Sequence, residues 1–288
     1  MKRVILKRSD RLPTQILVVT WVTVCTLFAL VPLYVTLINA FKDLNVYGQT
    51  VFSFPDLKTL PKNTAHNFSL AWSEMNHAMG RSLMVTIIGA IIDCALGSIL
   101  AYIFTYKNFH FKETLFFTYI SVMLLPSIMG MPILVPFMRR VNLHNTYVGY
   151  LLPVLAGGQV GGLFLFRTFF GQQPRSIYES AQIEGANDVD IYFRLTLPLA
   201  LPIILYKMVG AFSSLYNDFL WPELIFRSDK MTLMPVMKSA TGRFAGGKTP
   251  EMGAMYAMYI ISSVPLIFTS AISMKFFSSG DFAAGIKL

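Results

Sequence analysis

The stretch Ile16–Ile38, ILVVTWVTVCTLFALVPLYVTLI, decides what class of protein this is. It carries no charged side chain, and a helix needs about 20 mostly apolar residues to cross the hydrocarbon core of a bilayer. A basic cluster, Lys2, Arg3, Lys7, Arg8 and Arg11, precedes it. That order is shared with secretory signals, but the run is too long for a signal's apolar core and has no convincing small-residue cleavage site. It reads as a retained first helix.

Working outward, the same reading gives further spans at Ser82–Tyr106, Leu115–Met138, Tyr147–Phe166, Leu195–Leu220 and Met252–Met274. Runs this long fit helices, because a helix satisfies its own backbone polar groups in lipid and a barrel strand is much shorter. The expected fold is all-α, a polytopic membrane protein of six transmembrane helices forming one domain over residues 1–288. Composition agrees: the 288 residues are 54% hydrophobic and 14% charged, where a soluble domain carries about 25% charged. The net charge of +9 suits basic ends lying on anionic lipid, with nucleic acid the weaker reading. Cys25 and Cys94 both sit inside apolar runs, which gives neither a disulfide framework nor a CxxC site.

Lysines and arginines divide almost evenly between the two sides of such a topology, so their total does not orient it. The flanks of the first helix do, since the basic cluster precedes it and Lys42 stands alone beyond it. Both termini are therefore expected in the cytoplasm, with long outside loops at 41–80 and 222–251 and a charged cytoplasmic segment at 167–196. There is no internal repeat.

Residues 179–198 of that segment read ESAQIEGANDVDIYFRLTLP. Two short helices, Tyr178–Ile183 and Asp188–Leu195, are expected to flank Gly185, which permits a bend that a side chain resists. Glu179 and Glu184 stand beside the small residues Ser180, Ala181 and Ala186, so another backbone could approach closely. Spacing alone is equally consistent with an ordinary amphipathic surface loop.

The stretch resembles the cytoplasmic EAA signature of binding-protein-dependent ABC importer permeases. Glu179, Ala181, Gly185 and Leu197-Pro198 match it, while Ser180 replaces the middle alanine and Glu184 the usual aspartate before the glycine. Similarity extends to Leu124-Leu125-Pro126, to Asn145-Thr146 with Gly149 and Leu152-Pro153, and to Asn217-Asp218-Phe219-Leu220-Trp221-Pro222. The tail from Phe276 through Gly280 to Ala284-Gly285-Ile286-Lys287 is similar to that of the maltose-type carbohydrate-uptake permeases.

This resemblance implies a type I importer architecture and a mechanism. Two permease chains, usually different proteins, pair side by side. Glu179, Ser180, Ala181, Glu184, Gly185 and Ala186 form a coupling helix seated in a cleft of a cytoplasmic ATPase subunit. ATP and Mg bind the two ATPase subunits, this chain binds no cofactor, and an extracytoplasmic solute-binding protein delivers a sugar or oligosaccharide. A non-sugar solute is the alternative within the family.

Other residues were weighed by their chemistry. Gly242-Arg243-Phe244-Ala245-Gly246-Gly247-Lys248-Thr249 satisfies the phosphate-cradling P-loop pattern. That pattern works only between a strand and a helix N-terminus, and here Pro250 follows with a membrane span close behind. A flexible glycine-rich loop of Gly242, Arg243, Phe244, Gly246 and Gly247, facing the binding protein or the sugar, is the better reading. Gly157, Gly158, Gly161 and Gly162 make two overlapping small-xxx-small pairs suited to close helix packing, with Gln159 between them as a candidate for the solute path. Tyr216, Asn217, Asp218 and Trp221 combine aromatic and polar groups that suit sugar, while Trp221 equally suits an interfacial anchor.

Asp93 and Lys207 fall near the middles of two antiparallel spans. Either charge alone costs about 2.5–3.5 kcal/mol at a helix centre on the translocon scale, so a pairing between them is expected to offset much of that cost. Lys207 snorkelling to the edge and Asp93 facing a water-filled cavity are the alternatives. The histidines, His66, His77, His110 and His144, fall in expected loops and suggest no metal site. An intramembrane enzyme would need a nucleophile or acid pair inside the spans. A secondary transporter should show inverted repeats and interrupted helices, and neither is legible.

Overall fold

The structure is a computed structural model that describes residues 8–43, 51–246 and 251–278. These residues form helices α1 (Arg8–Asn39), α2 (Leu60–Tyr106), α3 (Lys112–Ser121), α4 (Met131–Arg140), α5 (Tyr147–Phe170) and α6 (Arg175–Ile183). There follow α7 (Asp188–Leu199), α8 (Leu201–Tyr216), α9 (Leu220–Ile225), α10 (Leu233–Gly246) and α11 (Met252–Ser278). Four of them are long and apolar enough to cross a membrane, and six spans result if each of two bent pairs is counted as one.

Both bends fall at prolines inside spans expected to be continuous. Leu115–Met138 breaks at Leu124-Leu125-Pro126, where the halves meet at 84°. A proline disfavours helical backbone at the residue before it, and Leu125 is extended, with φ −84° and ψ 120°. Leu195–Leu220 is likewise replaced by α7 and α8, bent by 77° around Ala200. Pro198 and Pro202 lack the N–H groups that would carry the ladder through this point. The backbone loosens into a π-turn over Ile191–Thr196 just before it. Interrupted helices are therefore present twice.

The expected outside loops are also partly helical. α2 begins at Leu60, so residues 60–81 are helix, and the end of α9 and all of α10 fall within 222–251. Ala71, Met75, Ala78, Ser82 and Val85 are all buried and recur every three to four positions along α2. One helical face thus continues past the point where charge ends the apolar run.

The chain forms two compact units. The first takes residues up to Glu74 together with Ala240–Ile261. Its hub is Asn67, buried at 3% exposure, whose Nδ2 donates to the carbonyls of Ala40 and Lys42 at 2.9 Å each. A Cβ at Gly253 would come within 2.3 Å of that same nitrogen, which explains a glycine in the first turn of α11. His66 Nε2 meets Glu251 Oε2 at 3.1 Å, and Arg243 pairs with Glu74.

The second unit, Met75–Ser239 with Ser262 onward, holds the features that matter for transport. Here α2 and α5 approach at glycine. A Cβ at Gly97 would lie 3.0 Å from Gly162 Cα, so only small residues let these backbones meet. The expected double glycine pair therefore splits: Gly158 and Gly162 are crowded, Gly157 has open space, and Gly161 meets only Met123 Cε at 3.7 Å.

Candidate functional site

Two regions of the second unit stand out, the 175–199 segment and a cavity. The segment starts with α6. Asn187 caps α7 by accepting from Asp190 N at 2.9 Å, and Asp188 and Asp190 place negative charge in its first turn, where a helix dipole favours it. Between the two helices Gly185 has φ +87°, a backbone that side chains resist. Glu179, Ser180, Glu184 and Gly185 are exposed, while Ala181 and Ala186 turn inward. Ile183 is 87% exposed and Val189 65%, which leaves an apolar tip rimmed by carboxylates.

Behind the segment lies a packed aromatic cluster. Tyr102, Phe116, Leu163, Phe166, Phe170, Tyr178, Ile191 and Tyr192 are all buried. Tyr178 stacks against Tyr106 at 4.1 Å between ring centroids and donates to Gln173 Oε1. Burial pushes the Tyr178 phenol up, which keeps it a neutral donor. Tyr106 donates to the Phe170 carbonyl at 3.2 Å, and Arg167 lies 3.8 Å over the Phe116 ring while pairing with Glu113 at 2.6 Å. The docking helix is thereby seated on the ends of α2, α3 and α5.

The cavity, of about 550 Å³, lies among α2, α5, α8 and α11. Asp93 and Lys207 are the charged residues on its wall, with Gly158, Ser213, Ser214, Thr269, Ser270 and Ser273 among the others. Lys207 Nζ donates to Asp93 Oδ2 at 2.5 Å and to the Gly158 carbonyl at 3.3 Å. Asp93 Oδ1 is buried without a hydrogen-bond partner, and a Cβ at Gly158 would stand 2.5 Å from it. The glycine is thus the space the carboxylate occupies. The rest of the wall is largely apolar, from Val154, Leu155, Val209, Leu215 and Leu266, so the hydroxyls and the charge-compensated pair are its polar features.

The residues expected on the solute path lie outside this cavity. Tyr216 is 1% exposed and donates to the Ser262 carbonyl at 3.0 Å. Trp221, 4% exposed, donates from Nε1 to the Tyr150 carbonyl at 3.0 Å, and Tyr150 in turn donates to Asp218 Oδ2 at 3.2 Å. The Trp221 ring and its donor are thus held inside this chain. Asn217 is exposed and donates to Ser213 O at 2.8 Å, and Gln159 makes only a 3.5 Å contact with its own helix. None of these five lines the cavity.

Motif residues in other places prove to be joints. Asn145 N donates to Ile225 O, its Oδ1 accepts from Arg227 N at 3.0 Å, and Thr146 caps α5 by accepting from Gly149 N at 3.0 Å. A Cβ at Gly149 would lie 2.0 Å from Leu143 O. Gly242, Arg243, Phe244 and Gly246 belong to α10, with Phe244 buried, so this part is helix, not a flexible loop. Gly247 and the rest of the P-loop-like pattern lie outside the described residues, as does the tail from residue 279.

Comparison with known proteins decides the family. Residues 94–280 match the model of the binding-protein-dependent transport system inner membrane component. The chain belongs to that family. Among curated relatives, the inner membrane ABC transporter permease protein YcjP of Escherichia coli is 25% identical over 208 residues, 72% of each chain. The diacetylchitobiose uptake system permease protein NgcG of Streptomyces coelicolor is 25% identical over 249 residues, 84% of this chain and 79% of the relative. The arabinooligosaccharides transport system permease protein AraQ of Halalkalibacterium halodurans is 24% identical, covering 72% and 73%. A chain from a bacterial ABC transporter involved in the import of the acidic polysaccharide alginate shares the fold, with a TM-score of 0.77 at 18% identity over 94% of this chain and 99% of that one. This permease subunit is thus a multi-pass component of the inner membrane.

Proposed function

We propose that this permease is one of two membrane subunits of an ATP-driven importer for sugars or oligosaccharides. The observation that carries the proposal is the 175–199 segment: an exposed apolar tip at Ile183, bent at Gly185 and seated on a rigid aromatic base. Ile183 at 87% and Val189 at 65% exposure together give the tip an apolar patch that suits a protein partner. The segment docks on a separate cytoplasmic ATPase, which binds ATP and Mg and contributes all the hydrolytic chemistry. Both termini lie in the cytoplasm, and a solute-binding protein delivers cargo to the opposite side. The second permease completes the path. Sugar as the cargo is supported by the names of several relatives and by a cavity wall that offers several hydroxyls and no uncompensated charge.

The test is purification of the tagged chain with its genetic neighbours, then reconstitution in proteoliposomes with ATP inside. An ATPase should co-isolate, and a neutral disaccharide or trisaccharide from a small panel should enter only with ATP. A lone chain that transports down a proton or sodium gradient, without an ATPase, would overturn the reading in favour of a secondary carrier.

A further inference from the structure

The bend at Ala200 separates the helix that docks from the helix that lines the cavity, and each arm is pinned to α2. On the docking side, the Tyr192 hydroxyl and Ser98 Oγ lie 2.7 Å apart in a buried contact. Tyr102 donates to Asp188 Oδ1 at 3.5 Å, and Lys107 pairs with the same carboxylate. On the cavity side, Lys207 holds Asp93 at 2.5 Å. Asp93 and Ser98 lie about 140° apart around α2 at 3.6 residues per turn. The broken helix therefore takes hold of two different faces of α2, as a 77° bend wrapped around a post would require.

The backbone gives little resistance at this point. Pro198 and Pro202 withdraw two ladder donors, and the π-turn over Ile191–Thr196 already widens the helix. Unbraced, such a joint is a hinge, and displacement of the docking tip would be absorbed at Ala200 before it reached the cavity.

We infer that the Ser98–Tyr192 and Asp93–Lys207 contacts brace this joint, so that docking segment, α2 and cavity helix turn as one body. Ser98, Tyr192, Asp93 and Lys207 are positioning residues for transport: they fix the angle through which a push on Ile183 arrives at the cavity. The use made of the brace rests on the importer reading; the brace itself does not.

Spin labels at Arg194→Cys, on the docking arm but away from its tip, and Ser214→Cys, both exposed positions, report the angle directly in a Cys25→Ser/Cys94→Ala background. Pulsed electron resonance is recorded on the assembly with its ATPase, nucleotide-free and trapped with ATP and vanadate. The parent should give one distance population, the same in both states. Tyr192→Phe and Ser98→Ala should each shift the braced-to-unbraced ratio about fivefold, as expected for losing one buried hydrogen bond, and so bring a second population into view. Asp93→Asn should enlarge it further, and Ser98→Thr, which keeps the hydroxyl, should retain the parent's single population. A parent distance that changes with nucleotide, or variants that keep one population, would overturn the brace. If no ATPase accompanies the chain, the importer reading fails, and the variant comparison on the chain alone still decides the brace.

Discussion

Breaking the Asp93–Lys207 pair from its two ends should give unequal damage. Lys207→Met strands a carboxylate that is 4% exposed and whose Oδ1 already has no partner, so both oxygens lose all hydrogen bonds. Removing one member of a buried pair costs about 3–5 kcal/mol. Asp93→Asn is milder, because Lys207 keeps the Gly158 carbonyl at 3.3 Å and reaches the cavity with its 17% exposed side chain. Losing a charge-assisted hydrogen bond there costs about 1.5–3 kcal/mol. The double variant removes both charges and should be more stable than Lys207→Met, with a coupling energy of about 0.5–3 kcal/mol. The assay is thermal unfolding of the purified chain in detergent, followed by tryptophan fluorescence, with membrane yield as a second measure. Strictly additive losses, or Asp93→Asn falling below Lys207→Met, would refute the reasoning.

Other expectations follow from the same contacts. Gly185→Val at φ +87° should abolish uptake while the chain still inserts at normal levels, and Glu179→Lys should weaken retention of the ATPase on a tagged permease. Gly97→Leu, which drives a side chain into the Gly162 backbone, should cost about 1–3 kcal/mol or more, whereas Gly157→Ala should leave the melting temperature unchanged. Trp221→Phe removes the donor to the Tyr150 carbonyl and should lower stability by about 1–3 kcal/mol without changing which solutes enter.

How much of this was legible depended on whether a signal is local. Ile16–Ile38 was readable because length and lack of charge settle a span, and Gly185 because a turn at a fixed place selects glycine. The helix over residues 60–81 was hidden because a span is recognised by continuous apolarity. That helix persists through Lys62, Glu74 and Arg81 by burying only the narrow face of Ala71, Met75 and Ala78. The two bends were written in Leu125-Pro126 and in the Pro198–Pro202 pair, but hydropathy windows are blind to a missing donor. Trp221, Tyr216 and Asp218 looked like sugar chemistry because aromatic and polar groups serve both purposes. Only their partners, Tyr150 and Ser262, far away in sequence, show that the groups are spent internally. Asn67 gave no signal at all, since its role lies in two carbonyls at the end of α1.

The central claim is that this permease is driven through the tip of its 175–199 segment. A photocrosslinking amino acid at Ile183, irradiated in native membranes, tests it most directly, because that side chain is 87% exposed. The account predicts a covalent adduct to one cytoplasmic ATPase subunit, lost when Gly185→Val is added, and no such adduct from the same probe at the buried-face control Ala181. Adducts only to lipid, or to a protein on the opposite side of the membrane, would contradict it.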